Sequence, residues 1–340
     1  MSNLIELRKP YLLFLGDAAN VLDAKTAGGI AYWRPDHCLA QLRLEESTVD
    51  LGLPDMTIKD AATAGAGTFI VGLAPLGGSL PDSWVSICVE ALDAGIDIAS
   101  GLHTRLGAIP AIADAAKRNG RRVLDVRDPS PNLPCGTGTK RSGKRLLTVG
   151  SDCCVGKMYS ALAIDAELRR RGANSTFRAT GQTGILIQGS GVPIDAVVSD
   201  FLSGSVEVLT PDNDPDHWDV IEGQGSLFHP AYAAVSLGLL HGAQADALVL
   251  CHELGRTTID GEEGGFPLPE LDEIIETNLG LARLTNKGVQ LVGVSVNSSN
   301  LDEDQAKAAV AELEDVHGVP VVDPVRTGVA RLVDNLEKIR

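Results

Sequence analysis

The chain has 340 residues, 44% of them hydrophobic and 22% charged, enough apolar material for packed cores and too much for a disordered chain. That length suits two domains of ordinary size. The formal net charge of −16 leaves no basic stripe to neutralise phosphates, so no nucleic-acid partner is expected.

The stretch YLLFLG (11–16) reads as a strand ending in a glycine turn, and GTFIVGLA (67–74) reads as another. PDSWVSICVEALDAG (81–95) is an amphipathic helix, with Pro81 near its start and Gly95 past its end. IDIAS (96–100) and RRVLDV (121–126) are strands flanking the helix AIPAIADAAKRNG (108–120). Strands alternating with helices predict a parallel, doubly wound sheet, here a Rossmann-like α/β domain over 1–128. RDPSPNLPCGTGTKRSGKR (127–145) lacks apolar periodicity, and 129–145 is expected to be a linker or mobile loop.

From residue 146 the alternation resumes. The order is a strand (LLTV), a helix over 156–171 capped by Gly172, a strand over 175–180 and, after a Gly-rich turn, a helix over 193–208. A strand over 218–223, a helix over 230–242 and a strand over 245–251 come next. A long loop (254–269), a helix (270–284), a strand (289–297), a helix (301–316) and a terminal strand and helix complete a second α/β domain, 146–340. No apolar run reaches the roughly 18 residues of a membrane span, and MSNLIELRKP lacks a signal peptide's apolar core. The six cysteines contain no CxxC pair, which points to reduced thiols, a cytoplasmic location and no zinc site.

The strongest local signal is LLTVGSDCCVGKM (146–158): apolar strand, glycine-bearing loop, Gly156-Lys157, then helix. Successive N–H groups of such a loop converge on phosphate oxygens, and the positive end of the following helix adds to the field. The candidate ligand contacts are Gly150, Ser151, Asp152, Cys153, Cys154, Val155, Gly156, Lys157, Met158 and Tyr159. The common form is GxxxxGK followed by a Ser or Thr whose hydroxyl holds Mg²⁺. Here Gly150 stands one residue early and Met158 replaces the hydroxyl, and a thioether is no ligand for a hard cation. Ser160, two residues on, faces another way around the helix.

Other candidates leave the carboxyl ends of strands, the edge where open α/β sheets bind ligands. Glu222 ends the strand of DVIEGQG, Asp200 follows an apolar run, and His229 precedes Pro230 at a helix start. Each is a candidate acid–base group, and solvated or structural roles stand beside that reading. CHELGRTTIDG (251–261) places His252, Glu253 and Arg256 at the same edge, with Arg256 either a partner for a ligand carboxylate or phosphate or paired with Glu253 in a surface ion pair. Gln182 and Thr183 lie between glycines after a strand. In the first domain, Lys25, Thr26, Arg34, His103 and Arg105 either converge on an anion at the domain cleft or, for the basic ones, are solvent-facing charge, with GLAPLGG (72–78) as a third Gly-rich turn. No GxGxxG fingerprint is present, so a nicotinamide cofactor is not expected.

GSDCCVGKM is similar to the longer phosphate loop of dethiobiotin synthetase-like P-loop proteins, and IEGQG resembles their acidic strand-end motif. Several stretches more closely resemble a two-domain family, Rossmann-like plus P-loop, whose characterised type is D-glutamate N-acetyltransferase. They are KTAGG, GLAPLGG with LPDSW, SGLHTRL, VGSDCCVGKM, ATGQTGILIQGSGVPIDAVVSDF, IEGQGSLFHPAY, LGLLHG and ALVLCHE, in order over nearly the whole chain. Where Thr often follows GKM in that family, this chain has Tyr159. The resemblance implies acetyl transfer from acetyl-CoA to the amino group of D-glutamate, in D-amino acid catabolism. The loop would then cradle CoA phosphates with no metal required. Under it, Glu222 or His229 would be the base, with Asp200 a further catalytic candidate. Lys157, the loop backbone and Gln182 would hold CoA, and Lys25, Arg34, Arg105 or Arg256 the substrate carboxylates. The alternative is an ATP- and Mg²⁺-dependent ligase or small-molecule kinase, with Asp200 and Glu222 on the metal. A symmetric homodimer or higher homo-oligomer is expected by analogy with two-domain α/β enzymes.

Overall fold

A computed structural model describes residues 4–21, 23–73, 80–262 and 264–339. The chain packs as two compact units, one formed up to Ser130 together with Gly181–Ala196, the other by Pro131–Thr180 together with the chain from Val197 onward. No helix among the described residues is long and apolar enough to cross a membrane.

The first unit opens with β1 (Ile5–Glu6), β2 (Tyr11–Gly16), α1 (Lys25–Trp33), β3 (Cys38–Arg43), α2 (Ile58–Thr63) and β4 (Thr68–Val71). It continues with α3 (Asp82–Asp93), β5 (Asp97–Ser100), α4 (Pro110–Asn119) and β6 (Val123–Asp125). The five main strands form a parallel sheet in the order β3-β2-β4-β5-β6. Every residue of β2 and β4 is buried, as for parallel strands covered on both faces. The α3 helix buries Trp84, Cys88, Ala91 and Leu92, the one-sided stripe of a helix lying on a sheet. Trp84 meets Phe14 of β2 edge-on at 5.2 Å. Strand β3 and helix α2 carry no clear pattern in the sequence: CLAQLR is too mixed in polarity to stand out. The GLAPLGG turn falls largely on 74–79, outside the described residues.

The second unit begins with β7 (Lys144–Gly150), α5 (Lys157–Arg170) and β8 (Ser175–Arg178). The chain then re-enters the first unit as α6 (Gln182–Gln188) and β9 (Ser190–Gly191), where β9 pairs antiparallel with β1. This differs from the expected division, which kept 179–191 with the P-loop domain. Ile185, Leu186 and Ile187 are fully buried there, so an apolar helix finds its cover in the first unit. The second unit resumes with α7 (Ser199–Leu209), β10 (Trp218–Ile221), α8 (Ala233–Ala243), β11 (Ala247–Glu253) and α9 (Leu271–Ala282). β12 (Gln290–Asn297), α10 (Glu303–His317), β13 (Val321–Val322) and α11 (Ala330–Leu336) follow. Its six strands run parallel in the order β13-β12-β11-β7-β10-β8, so β7 lies at the centre.

The stretch expected to be a linker is fastened to the second unit instead. Arg141 is buried, its Nε donating to the Thr210 carbonyl at 2.6 Å and its Nη2 to the Gly242 carbonyl at 2.8 Å. The Thr137 N–H donates to Glu207 at 2.9 Å. Gly204 lets the segment lie flat, since a Cβ there would sit 2.0 Å from the Pro134 oxygen. Composition alone suggested mobility; a buried guanidinium shared among carbonyls removes it.

Candidate functional site

β7 ends at Gly150 in the middle of the sheet, and the next six residues turn into α5. The turn requires left-handed backbone: Gly156 has φ +99° and Cys154 φ +56°, an uncommon angle for a residue with a side chain. A Cβ on Gly150 would lie 2.7 Å from the Lys157 Nζ, so glycine there lets the lysine fold across the loop. Lys157 donates to the Asp152 carbonyl at 2.6 Å, and burial pushes its ammonium below the usual lysine value. Gly223 permits the next strand to approach, since a Cβ would stand 1.8 Å from the Thr148 oxygen.

The loop is held from three directions. Ser151 donates its N–H to the Cys251 carbonyl at 2.9 Å, and its own carbonyl accepts from the Ser226 hydroxyl at 2.8 Å. Its hydroxyl meets the His252 Nδ1 at 3.0 Å. Burial, then the Arg256 charge, pushes His252 down to about 4, so this ring is neutral at pH 7. Asp152 is fully buried and accepts from the Cys153 N–H at 2.6 Å, Arg256 Nη1 at 2.7 Å and the Asp260 N–H at 2.6 Å. Arg256 also pairs with Glu253. Of the two expectations for Arg256, a ligand anion or an ion pair with Glu253, the ion pair is present, and the guanidinium is occupied further by the loop's own carboxylate.

Glu222 follows β10, one strand from the loop, and is 3% exposed. Its Oε2 accepts the Thr180 N–H at 2.8 Å, while the Thr180 hydroxyl donates to the Glu222 carbonyl at 2.8 Å. The carboxylate is thus buried at the carboxyl edge of the sheet, one strand away from the loop that follows β7.

His229 is buried, with Nε2 3.0 Å from Asp260 Oδ2 and Nδ1 accepting the Ala231 N–H at 3.1 Å. An accepting Nδ1 places the proton on Nε2, which donates to Asp260. Asp152, Cys153, His229 and Asp260 bring donor atoms within 4.8 Å of one another, a grouping that invites a metal ion. Their bonding does not fit one. The His229 lone pair is taken by a backbone N–H, and Asp152 is taken by Arg256 and two N–H groups. Burial pushes the Cys153 thiol up to about 11.

The remaining candidates scatter. Met158 and Tyr159 lie in the first turn of α5, and Ser160 turns inward to bond the Gly156 carbonyl and Ser295. Asp200 is exposed in the first turn of α7, where a carboxylate suits the helix's positive end. Gln182 opens α6 in the first unit and packs on Gly101. Lys25 is exposed at the start of α1, and Arg105 is exposed and paired with Asp128 at 2.9 Å. Arg34 differs from expectation: α1 carries the chain back to where the parallel β3 begins, so Arg34 lies at the opposite edge from Lys25. It is buried there, donating to the Trp33 carbonyl and to Gln188 Oε1, each at 2.9 Å.

Beside the start of α5, toward β12 and β13, opens a cavity of about 530 Å³ bounded by Val155, Tyr159, Asn297, Pro324, Val325 and Arg326. The phosphate-loop motif marked only one of its walls, Val155 to Tyr159; the others come from two distant stretches around Asn297 and Val325.

The family pattern described as the P-loop domain of DUF1611, a domain of unknown function, matches residues 134–333. The Rossmann-like N-terminal domain of the same family matches residues 42–129. A protein of Tritonibacter scottomollicae named D-glutamate N-acetyltransferase is 52% identical over 98% of this chain and all of its own length. A Pseudoalteromonas protein of the same name is 47% identical over 98% of this chain and all of its own. The crystal structure of a DUF1611 family protein from Anabaena variabilis superposes with a TM-score of 0.80 at 31% identity, covering 97% of this chain and 100% of that one.

Proposed function

The chain belongs to the DUF1611 family, with its Rossmann-like and P-loop domains, and from that membership we propose that it is an N-acetyltransferase acting on the amino group of D-glutamate with acetyl-CoA as donor. Two full-length relatives carry that activity as their name. The observation that carries the donor is the loop itself: phosphate-binding geometry with Met158 where a Mg²⁺-holding hydroxyl stands in nucleotide hydrolases. CoA presents a pyrophosphate and needs no chemistry at phosphorus. Its phosphates would take the loop N–H groups and Lys157, which then exchanges the Asp152 carbonyl for a phosphate oxygen.

Glu222 is the proposed base. The ammonium of D-glutamate gives a proton to its carboxylate, and the freed nitrogen attacks the thioester carbon. The tetrahedral intermediate collapses with cleavage of the C–S bond; the second proton of its nitrogen passes to the departing CoA sulfur, which leaves as the free thiol, and the proton held on Glu222 is released to solvent. His229 is the weaker candidate because both ring nitrogens are engaged, one by a backbone N–H and one by Asp260. For the two substrate carboxylates, the exposed cations Lys25 and Arg105 remain the proposed partners. A place in D-amino acid metabolism, a cytoplasmic location and a homodimer belong to the same proposal.

The test is thiol release from acetyl-CoA against a panel of D- and L-amino acids, with EDTA present throughout. Release that depends on D-glutamate is expected. Mg²⁺-dependent ADP formation from ATP, with no thiol release for any amine, would overturn the reading in favour of a ligase or kinase.

A further inference from the structure

We propose that the cavity beside α5 receives the 3′-phosphoadenosine end of the acyl donor, and that Arg326 reads the 3′-phosphate. The inference rests on the acetyl-CoA reading above and assigns a subsite to it.

The strand order sets the direction of the ligand. The phosphate loop follows the central strand β7; the cavity lies toward β12 and β13, and Glu222 lies on the other side, at the end of β10. A nucleotide with its pyrophosphate on the loop and its base in the cavity sends its remaining arm toward β10. That arm in acetyl-CoA ends in the thioester, so the acyl carbon is delivered to the side where the base stands. The reverse orientation would carry the acetyl group into the cavity, away from Glu222.

The cavity has the character of a base pocket. About 530 Å³ falls within the usual size of small-molecule sites. Val155 forms apolar floor at 1% exposure, while Pro324 and the 75%-exposed Val325 form a rim under which a purine can slide. Asn297 accepts the Ser299 N–H through Oδ1 at 3.1 Å, and its amide Nδ2 has no partner among the described residues. The rim is held in place, since Asp323, 5% exposed, accepts the N–H groups of Val325 at 2.9 Å and Arg326 at 3.1 Å. Its other oxygen is bonded by Ser298. This wall is prebuilt, which lowers the ordering cost of binding.

Arg326 is oriented by the same scaffold. Its Nη2 donates to the carbonyls of Ser298 at 3.2 Å and Leu301 at 2.7 Å, and its Nε stands 3.8 Å from Asp323. Its Nη1 has no partner among the described residues. A guanidinium fixed by two carbonyls, with one nitrogen open at the mouth of a nucleotide pocket, suits a phosphate monoester on the ribose. Acetyl-CoA has that group; dephospho-CoA and ATP do not.

The experiment measures binding of CoA and dephospho-CoA by calorimetry, and turnover of their acetyl thioesters, in the wild type, Arg326→Gln and Val325→Asp. The wild type is expected to favour the 3′-phosphorylated ligand by roughly tenfold or more. Arg326→Gln is expected to erase that preference by weakening CoA alone, with kcat retained. Val325→Asp, at an exposed rim position, is expected to weaken both ligands. Equal weakening of both ligands by Arg326→Gln, or no preference in the wild type, overturns the subsite. CoA binding with the expected preference, but no acetyl transfer to any amine, would sink the acetyltransferase reading and leave the subsite standing. No CoA binding at all overturns both.

Discussion

The Lys157 ammonium donates to the carbonyl of Asp152 at 2.6 Å, so the one cation built into the phosphate loop satisfies itself on the loop's own backbone. This ties two opposing demands to one side chain. Buried charge is unfavourable to the fold, and burial already pushes this ammonium down, while a phosphate ligand requires it. Lys157→Met is therefore expected to raise the melting temperature by about 2–4 °C and to abolish detectable CoA binding. Differential scanning calorimetry with and without CoA checks both; a fall in stability without ligand would contradict this account.

Glu222 accepts the Thr180 N–H through its carboxylate. Glu222→Gln keeps an acceptor for the Thr180 N–H but removes the base. We expect kcat to fall by roughly 10²- to 10⁴-fold with KM for acetyl-CoA nearly unchanged. An unchanged kcat in steady-state thiol release would remove Glu222 from the chemistry.

The pair Asp152–Arg256 is a buried ion pair whose partners are both needed. Removing the guanidinium leaves a fully buried carboxylate with two N–H donors and the partly desolvated Lys157 ammonium as its nearby cation. Arg256→Gln is expected to cost about 3 kcal/mol or more and to weaken CoA binding. Asp152→Asn added to it is expected to recover part of the stability. A denaturant double-mutant cycle measures the coupling, and additive effects would show that the pair does not organise the loop.

His252 sets an acid limit on stability. In the unfolded chain the ring accepts a proton near pH 6.5, whereas in the fold it resists until about 4. Stability from this group is complete above pH 6.5 and is lost as pH falls toward 4, by about 3 kcal/mol across the window. His252→Gln removes that titration. Urea midpoints between pH 4 and 7 should show a flatter slope for the variant, and parallel slopes would contradict the assignment.

Much of this protein can be read along the chain. Period and punctuation marked β2, β7, β11 and β12 and most of the helices, because burial of a strand or a helix face leaves a local pattern. The phosphate loop was legible for the same reason, since Gly150, Gly156 and Lys157 serve a turn made within nine residues. Glu222 was legible as a strand-end carboxylate. Family-wide stretches extended the reading to the reaction.

What the tertiary structure decided lies between distant stretches. Arg256 looked like a ligand-binding cation, yet it is spent on Asp152, over one hundred positions away, because β11 runs beside β7. His229 looked like a base until the Ala231 N–H and Asp260 took its two nitrogens. Arg34 left the expected edge because α1 must return to the start of a parallel strand, and Gln182 joined the first unit because β9 pairs with β1. Local sequence determines which segments bury a face and which loop can cradle phosphate. Strand order determines which side chains meet across the sheet edge, and it depends on packing energies summed over the whole fold, which no short motif records.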